Sequence, residues 1–213
     1  MSSMQSSPTA SHALGAYESP TSKLLHTVAK FLIRRRILLS AILFGLIIAQ
    51  DVAYGPKPHN LLNVRDPWSV IGLVMVLLGT AMRSWAAGIL HKNAQLTTVG
   101  PYQLIRNPLY LGSFLMMFGF CTLLGDPKNF LIILGPVLLI YIVKVRQEER
   151  LLASRFPEQW PGYVATTPRF VPRPRRLDLS AEWRVRQWVH HREYQALLAT
   201  LAALVAIQVW HTM

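Results

Sequence analysis

The sequence predicts an all-α, polytopic membrane protein with about five transmembrane helices. Of its 213 residues, 52% are hydrophobic and only 15% are charged, whereas a soluble domain usually carries about 25% charge. The apolar residues are gathered in long blocks, and a block of roughly 20 apolar residues can span a bilayer as a helix. The basic residues are concentrated in a few of the segments between these blocks.

Five apolar blocks are predicted to be the transmembrane helices. In chain order they cover residues 37–54, 68–90, 109–125, 130–145 and 194–210. A short polar turn, 126–129, separates the third block from the fourth. These two blocks are therefore predicted to form a helical hairpin.

The distribution of positive charge predicts how the helices are oriented. All 22 basic residues lie in segments 1–36, 83–108 and 144–193, except Lys57, Arg65 and Lys128. Because Lys and Arg accumulate in cytoplasmic loops, we expect these segments and the N-terminus on the cytoplasmic side. With five spans, the C-terminus is then expected on the other side.

The segments beside the predicted spans are of two kinds. Residues 1–22 are rich in Ser, Thr, Ala and Pro and lack the pattern of a signal peptide. We predict a disordered tail there and a single domain over 23–213. Residues 23–36 and 181–192 combine apolar and basic side chains at helical spacing, which is typical of short helices lying in the membrane interface.

The net charge of +12 is compatible with nucleic-acid binding or with an anionic membrane surface. The cytoplasmic clustering of Lys and Arg accounts for it, so we expect no nucleic-acid partner. Cys121 is the single cysteine, which rules out an intramolecular disulfide. The neighbouring His190 and His191 do not share a helix face, and no metal site is expected.

The connection between the second and third predicted helices contains a helix-start signal. Asn107 is a good N-cap and Pro108 suits the first helical position, where no N–H is needed. The third helix is therefore predicted to begin at the membrane surface with its positive dipole end exposed, a position that favours a carboxylate. Tyr102 and Tyr110 lie on either side of this point.

Two adjacent acids follow the fourth predicted helix within a strongly basic segment. Glu148 or Glu149 can bind the ammonium group of a ligand, and Lys144 and Arg146 can hold an anionic head at the same depth. The plainer interpretations also stand: the basic residues act as membrane anchors, and the acids form a solvated helix end. Arg83, near the inner end of its helix, is expected to snorkel to the interface.

These elements occur in an order that resembles a known family. The chain reads GPYQLIRNPLYLG at 100–112, then a predicted helical hairpin, then EERLL at 148–152 and PRFVP at 168–172. This order resembles the isoprenylcysteine carboxyl methyltransferase family and the related phospholipid methyltransferases. The segments RSWA at 83–86 and LTTV at 96–99 fit the same pattern, so the resemblance covers about 83–172.

The resemblance implies an S-adenosylmethionine site at the cytoplasmic boundary. Its implied cofactor contacts are Gln95, Leu96, Thr97, Tyr102, Asn107, Pro108, Leu109, Tyr110 and Glu148; catalytic roles fall to Arg106 and Glu149, and substrate contacts to Lys144 and Arg146. Many relatives have His at the position of Asn107, and Asn cannot titrate near neutrality. A proton-transfer role at that position is therefore not expected. Pro157 and Trp160 also replace the Gly and Tyr that are common after the paired acids.

The resemblance further implies methyl transfer to a lipophilic acceptor, with the carboxylate of a prenylated cysteine favoured. The membrane would be the plasma or inner membrane in a bacterium, or the endoplasmic reticulum in a eukaryote. An ionised carboxylate needs no strong base, so the protein must align the reactants and exclude water. A basic side chain can position that carboxylate through a charge-assisted bond.

Two other functions remain open from the sequence, and a farther relative of the fold fits less well. Methylation of a phospholipid amine requires removal of a proton, for which Glu149 is the candidate base. The sterol-reducing enzymes resemble this fold but are generally much longer chains that use a nicotinamide. A non-catalytic membrane adaptor would use the basic segment 144–193 to recruit anionic lipid or a partner.

Overall fold

The structure is a computed structural model that describes residues 36–91, 95–173 and 182–213. All regular secondary structure in these residues is helical. The helices are α1 Arg36–Tyr54, α2 Pro67–Ile89, α3 Pro101–Leu104, α4 Pro108–Leu124, α5 Lys128–Arg155, α6 Trp160–Thr166, α7 Val185–His190 and α8 Glu193–Thr212. Within α5, a π-helical turn at Ile133–Val137 surrounds Pro136.

The predicted fold class is confirmed, but the number of five spans is not. Three helices among the described residues are long and apolar enough to cross a membrane: α2, α5 and α8. Helix α4 is apolar but has only 17 residues. The helices begin and end within about two residues of prediction except at α5, which continues ten residues past the predicted end at 145. The predicted tail 1–22 and interfacial helix 23–36 lie outside the described residues, apart from Arg36.

The start of α2 is fixed by its N-cap, Asp66. One carboxylate oxygen accepts from the Trp68 amide at 3.0 Å, and the other accepts from the Ser69 hydroxyl and from the His59 ring. Desolvation opposes ionisation here, but these hydrogen bonds prevail and lower the pKa of Asp66. Pro67 follows at the first helical position, where its missing N–H costs nothing.

Helices α2 and α4 form the central packed pair of the structure, and they meet through glycine. A Cβ added at Gly79 would lie 2.6 Å from the Gly112 carbonyl oxygen, and one added at Gly119 would lie 2.6 Å from that of Gly72. Since 72 faces 119 and 79 faces 112, the two helices are antiparallel. Small residues at such positions let helix backbones approach closely in a membrane, where packing replaces the hydrophobic effect.

The terminal helix α8 packs on the same pair. Its Ile207 joins the buried cluster formed by Val76 of α2 and by Phe120, Leu123 and Leu124 of α4. At this end of the bundle, α8 is also held by the connection between α1 and α2. The Leu61 amide donates to the Gln208 side chain at 2.9 Å, and the His211 ring donates to the Pro58 carbonyl at 2.8 Å.

The glycine contacts generate a stability prediction. Gly79→Ala is expected to destabilise the protein by about 1–3 kcal/mol, as overpacking of a filled interior does. The added methyl group would meet two backbone atoms of α4, Gly112 O and Met116 N, at 2.6 and 2.8 Å. Thermal unfolding of detergent-purified protein measures the effect.

Gly45→Ala in α1 is the matched control. A Cβ there has no neighbour within 4 Å, so the change is expected to be neutral or to stabilise by up to about 1 kcal/mol through helix propensity. Equal melting temperatures for the Gly79→Ala and Gly45→Ala proteins would contradict the assigned role of the glycine contacts.

Candidate active site at the basic end

One end of the bundle, here called the basic end, collects the predicted site residues. It contains the C-terminus of α2, the N-terminus of α4, the C-terminal half of α5 and the N-terminus of α8. The connecting segments 95–107 and 156–173 cover it. Hydrogen bonds between these segments and the helix ends, described below, hold the assembly together.

Glu149 of α5 is the centre of a buried ionic cluster. Glu149 is only 6% exposed, and its Oε2 accepts from Arg169 Nη2 at 2.6 Å and from Arg169 Nε at 2.9 Å. Its Oε1 accepts from Asn107 Nδ2 at 3.2 Å and lies 3.5 Å from Arg106 Nη1. A buried carboxylate is tolerated only when it is paired and hydrogen-bonded in this way.

The two arginines of the cluster differ in their surroundings. Arg169 is partly exposed, and its hydrogen bonds to Glu149 raise the pKa of its guanidinium although desolvation acts in the opposite direction. The Arg106 side chain is 11% exposed, and its Nε atom is buried without a hydrogen-bond acceptor among the described residues. Two cations against one carboxylate leave the cluster with a net positive charge and one unused buried donor.

Backbone pairing brings these residues together from distant parts of the chain. The Arg106 amide donates to the Pro168 carbonyl at 2.9 Å, and the Arg173 amide donates to the Leu104 carbonyl at 3.1 Å. The expected N-cap at Asn107 is correct in position but not in bonding, since its side chain makes no capping bond to α4. Its amide group turns instead to Glu149 and to the Arg169 carbonyl.

Two buried tyrosines connect the segments behind the cluster. The Tyr163 hydroxyl donates to the Tyr102 carbonyl at 2.8 Å, and the Tyr102 hydroxyl donates to the Ala86 carbonyl of α2 at 3.4 Å. Burial raises the pKa of both phenols well above the usual value near 10. Both therefore remain protonated donors at neutral pH and link α6, α3 and the end of α2.

The two adjacent acids face different surroundings because neighbouring residues on a helix diverge by about 100°. Glu148 is 37% exposed at its side chain and pairs with Lys144 at 3.3 Å, one helical turn earlier. Arg146 is exposed. On the side of Lys144, Tyr141 makes an edge-to-face contact with Tyr110 of α4 at a ring separation of 5.5 Å.

Two concavities adjoin this region. A cleft of about 640 Å³ lies between the loop before α4 and helix α6, with a lining of mostly hydroxyl and amide groups: Thr98, Gln103, Glu158, Gln159, Gly162, Tyr163, Thr166 and Thr167. A smaller groove of about 180 Å³ lies between α4 and α5 and has an entirely apolar lining: Leu111, Phe114, Phe118, Ile133, Leu134, Leu138 and Phe170. Phe170 directly follows Arg169, so the groove begins beside the cluster.

The structure unites only part of the set expected from the sequence. Arg106, Asn107 and Glu149 are in mutual contact, and Pro108, Leu109 and Tyr110 follow directly in the first turn of α4. Thr97 is buried and its hydroxyl accepts from the His91 amide. Among the described residues, no hydrogen bond or ion pair joins Gln95 or Leu96 to the cluster.

Arg169 and Tyr163 were not assigned roles from the sequence. Both lie in motifs that the sequence displays, PRFVP and the aromatic positions after the paired acids. An arginine between two prolines, in a segment with too few acids to balance it, is the signal that could have identified Arg169. Nothing in the sequence indicated that Tyr163 contacts the backbone of Tyr102.

The snorkelling expected of Arg83 is wrong. Its guanidinium donates to both carboxylate oxygens of Glu193, at 2.6 and 3.2 Å, and to the Ser113 hydroxyl. Glu193 is buried at the start of α8. Packing between three helices provides a partner inside the protein, so the side chain need not reach the interface.

As for metals, the described residues contain no group of three His, Cys, Asp or Glu side chains placed to hold an ion.

Comparisons with known proteins identify relatives of a large part of the chain. The sequence profile of the phospholipid methyltransferase family matches residues 68–159, from α2 to the residue before α6. The cobalt-zinc-cadmium resistance protein CzcN of Cupriavidus metallidurans is 31% identical over 152 residues, which cover 70% of this chain and 69% of that protein. No solved structure matches.

A second relative agrees with the first. The nickel-cobalt-cadmium resistance protein NccN of Alcaligenes xylosoxydans xylosoxydans is 32% identical over 105 residues, which cover 48% of this chain and 49% of that protein. The region that the family profile matches contains the Glu149 cluster except Arg169. The chain therefore belongs to the phospholipid methyltransferase family and is a membrane protein with a methyltransferase domain.

Proposed function

We propose that the protein transfers a methyl group from S-adenosylmethionine to the carboxylate of a lipophilic acceptor, such as a prenylated cysteine. The proposal rests on the family and on the chemistry available at the basic end. The acceptor would enter from the bilayer and the cofactor from the cytoplasm, in agreement with the distribution of positive charge.

The choice of acceptor rests on one observation, the hydrogen bonds that Glu149 already accepts. Its two oxygens already accept from Arg169 and Asn107 and lie beside Arg106. A carboxylate so occupied is poorly placed to remove a proton from an amine. A carboxylate acceptor is already ionised at neutral pH and needs no base, so it suits this site better than a phospholipid amine does.

In this proposal Glu149 is a positioning residue and Arg106 is the group that touches the acceptor. Glu149 Oε1 lies 3.5 Å from Arg106 Nη1 and so holds one end of the guanidinium. The buried Nε of Arg106 has no hydrogen-bond acceptor among the described residues. An oxygen of the substrate carboxylate would supply one. The charge-assisted bond would orient the acceptor while the net positive cluster stabilises its charge.

The residues around α4 suit S-adenosylmethionine, which supplies an electrophilic methyl group on a sulfonium. Glu148 can exchange Lys144 for the cofactor ammonium, since their bond is a partly exposed i,i+4 pair of small free energy. The edge-to-face pair of Tyr110 and Tyr141 offers aromatic surface to a cation. The polar cleft of about 640 Å³ is lined by Gln103 and Tyr163 and not by Glu148 or Tyr110, and its volume is in the range of ligand pockets.

The lipophilic part of the acceptor would lie in the apolar groove between α4 and α5. This groove starts at Phe170, next to the cluster, and follows the aromatic side chains Phe114 and Phe118 along α4. Lys144 and Arg146, at the same end of α5, would attract the anionic head. Helix α5 passes the groove at its π-helical turn, where Ile133 and Leu134 form part of the lining.

Binding of S-adenosylmethionine by the purified protein is the first test. We expect Glu148→Ala and Tyr110→Ala each to weaken binding at least tenfold, because each removes a group proposed to face the cofactor cation. Isothermal calorimetry in detergent and in lipid measures the affinity. Gln147→Ala, at an exposed neighbouring position, is the control and should bind as the unchanged protein does.

Full binding by both site variants would contradict the assignment of the cofactor residues. Absence of binding by the well-folded, unchanged protein in lipid would contradict the enzyme itself and favour a non-catalytic adaptor. Circular dichroism of each sample establishes that its helices are intact.

The acceptor is tested by the pH dependence of methyl transfer. With N-acetyl-S-farnesylcysteine as the probe, the rate is expected to be nearly constant between pH 6 and 9, since an α-carboxyl group with a pKa of about 3.5 stays ionised. An amine acceptor would behave differently, because an ammonium group with a pKa of about 10 loses its proton as pH rises. Transfer to phosphatidylethanolamine but not to the prenylated probe would overturn the carboxylate proposal.

The role of Arg106 is tested in the same assay. Arg106→Lys keeps the charge but loses the planar fork that contacts Glu149 and the acceptor together. We expect kcat/KM to fall about 10- to 100-fold, the loss of one charge-assisted hydrogen bond. Arg150→Lys, on the exposed side of α5, is the control. Unchanged kcat/KM in Arg106→Lys would remove Arg106 from the site.

A further inference from the structure

Residues 182–192, here called the strap, cap the carbonyl end of α2. Trp183 Nε1 donates to the Ser84 carbonyl at 2.9 Å, the Arg184 amide donates to the Gly88 carbonyl at 3.0 Å, and the His191 ring donates to the Leu90 carbonyl at 3.1 Å. Of these carbonyls, that of Gly88 is among the last four of α2, which lack partners within the helix. Leu90 is the residue directly after α2, and Ser84 lies about one turn before its end. The three donors come from a segment about 100 residues later in the chain.

The strap is one anchor of the end of α2. The ion pair of Arg83 with Glu193, the residue directly after the strap, is a second anchor. The Arg83 guanidinium contacts both oxygens of Glu193 and also donates to the Ser113 hydroxyl of α4. Ser113 in turn donates to the Leu109 carbonyl at 2.9 Å, in the first turn of α4. One side chain of α2 therefore connects the start of α8 with the start of α4.

Both anchors act on the residues of the proposed site. The end of α2 continues into the loop that contains Thr97, whose hydroxyl bonds to the His91 amide. The Tyr102 hydroxyl donates to the Ala86 carbonyl, which lies between the Ser84 and Gly88 carbonyls that accept from the strap. The first turn of α4, which carries Tyr110, is bonded to Arg83 through Ser113.

We propose that the strap and Glu193 are positioning elements that hold the loop 95–107 and the start of α4 in register for methyl transfer. The terminal helix α8 thus serves the reaction without touching the reactants. This inference rests on the proposed function. A shift of about 1 Å in aligned reactants can lower the rate about 100-fold, so loss of either anchor should reduce kcat.

Three variants separate the two anchors from each other. Gly88→Ala would place a methyl group 2.0 Å from Trp183 Nε1 and so displace the strap. Trp183→Phe keeps an aromatic ring but removes the N–H that caps Ser84. Glu193→Gln keeps the shape of the side chain but removes the charge that faces Arg83. Gly45→Ala is the control, with open space at its Cβ.

We expect kcat to fall about 10- to 100-fold in all three variants, with KM for S-adenosylmethionine changed less than about threefold. Hydrogen–deuterium exchange is the second readout, and it does not require activity. Amides of residues 95–111 are expected to exchange faster in the variants, while those of 67–80 exchange as in the unchanged protein. The Gly45→Ala protein should match the unchanged protein in both measurements.

Faster exchange confined to 182–193, with unchanged kcat and unchanged exchange in 95–111, would overturn the proposal. If Gly88→Ala loosens the whole chain, Trp183→Phe and Glu193→Gln decide. A chain with no methyl transfer of its own would refute the proposed function, while exchange in 95–111 would still decide whether the strap orders this loop.

Discussion

The close contact of α2 with α4 is the constraint on which the other features depend. Four glycines at seven-residue spacing, Gly72 and Gly79 against Gly112 and Gly119, place the two backbones side by side. This approach sets the height at which α4 starts relative to the end of α2. Arg83 reaches Ser113, and Tyr102 reaches Ala86, only because that height is fixed. The ionic cluster, the tyrosine links and the strap are all attached to this pair.

The two helix ends that the glycines bring together have opposite dipoles, and polar groups of the protein surround both. The start of α4 is a positive dipole end, and Glu149 lies beside it through Asn107. The end of α2 is a negative dipole end, and its carbonyls receive N–H donors from Trp183, Arg184 and His191. Anions are thus favoured on one side of the loop and cations on the other. The amino acid part of the proposed cofactor carries both charges, which is consistent with this arrangement.

The sequence predicted the helices well because long apolar blocks and the Asn107–Pro108 start are local signals. It could not predict which of two adjacent acids is buried, since this depends on the rotation of α5 relative to α4 and the segment after α6. It also could not pair Arg83 with Glu193, which are 110 residues apart and meet only through tertiary packing. Membrane depth alone predicted snorkelling for Arg83. Three of the four cluster residues, Arg106, Asn107 and Glu149, come from motifs, while Arg169 lies in a segment without regular structure.

The buried charges of Arg106 and Glu149 fix the geometry of the cluster. Burying Arg106 or Glu149 without a partner would cost free energy. Each charge therefore depends on the other, and Glu149 also depends on Arg169. Such a cluster resists rearrangement, since moving one member leaves the others unsatisfied. Among the described residues the Nε of Arg106 has no hydrogen-bond acceptor, so a new acceptor there would lower the free energy. A carboxylate brought there by a lipid tail would complete the hydrogen bonding, whereas an ammonium group would meet two guanidinium groups of its own sign. The electrostatics of the cluster are therefore consistent with the proposed carboxylate acceptor.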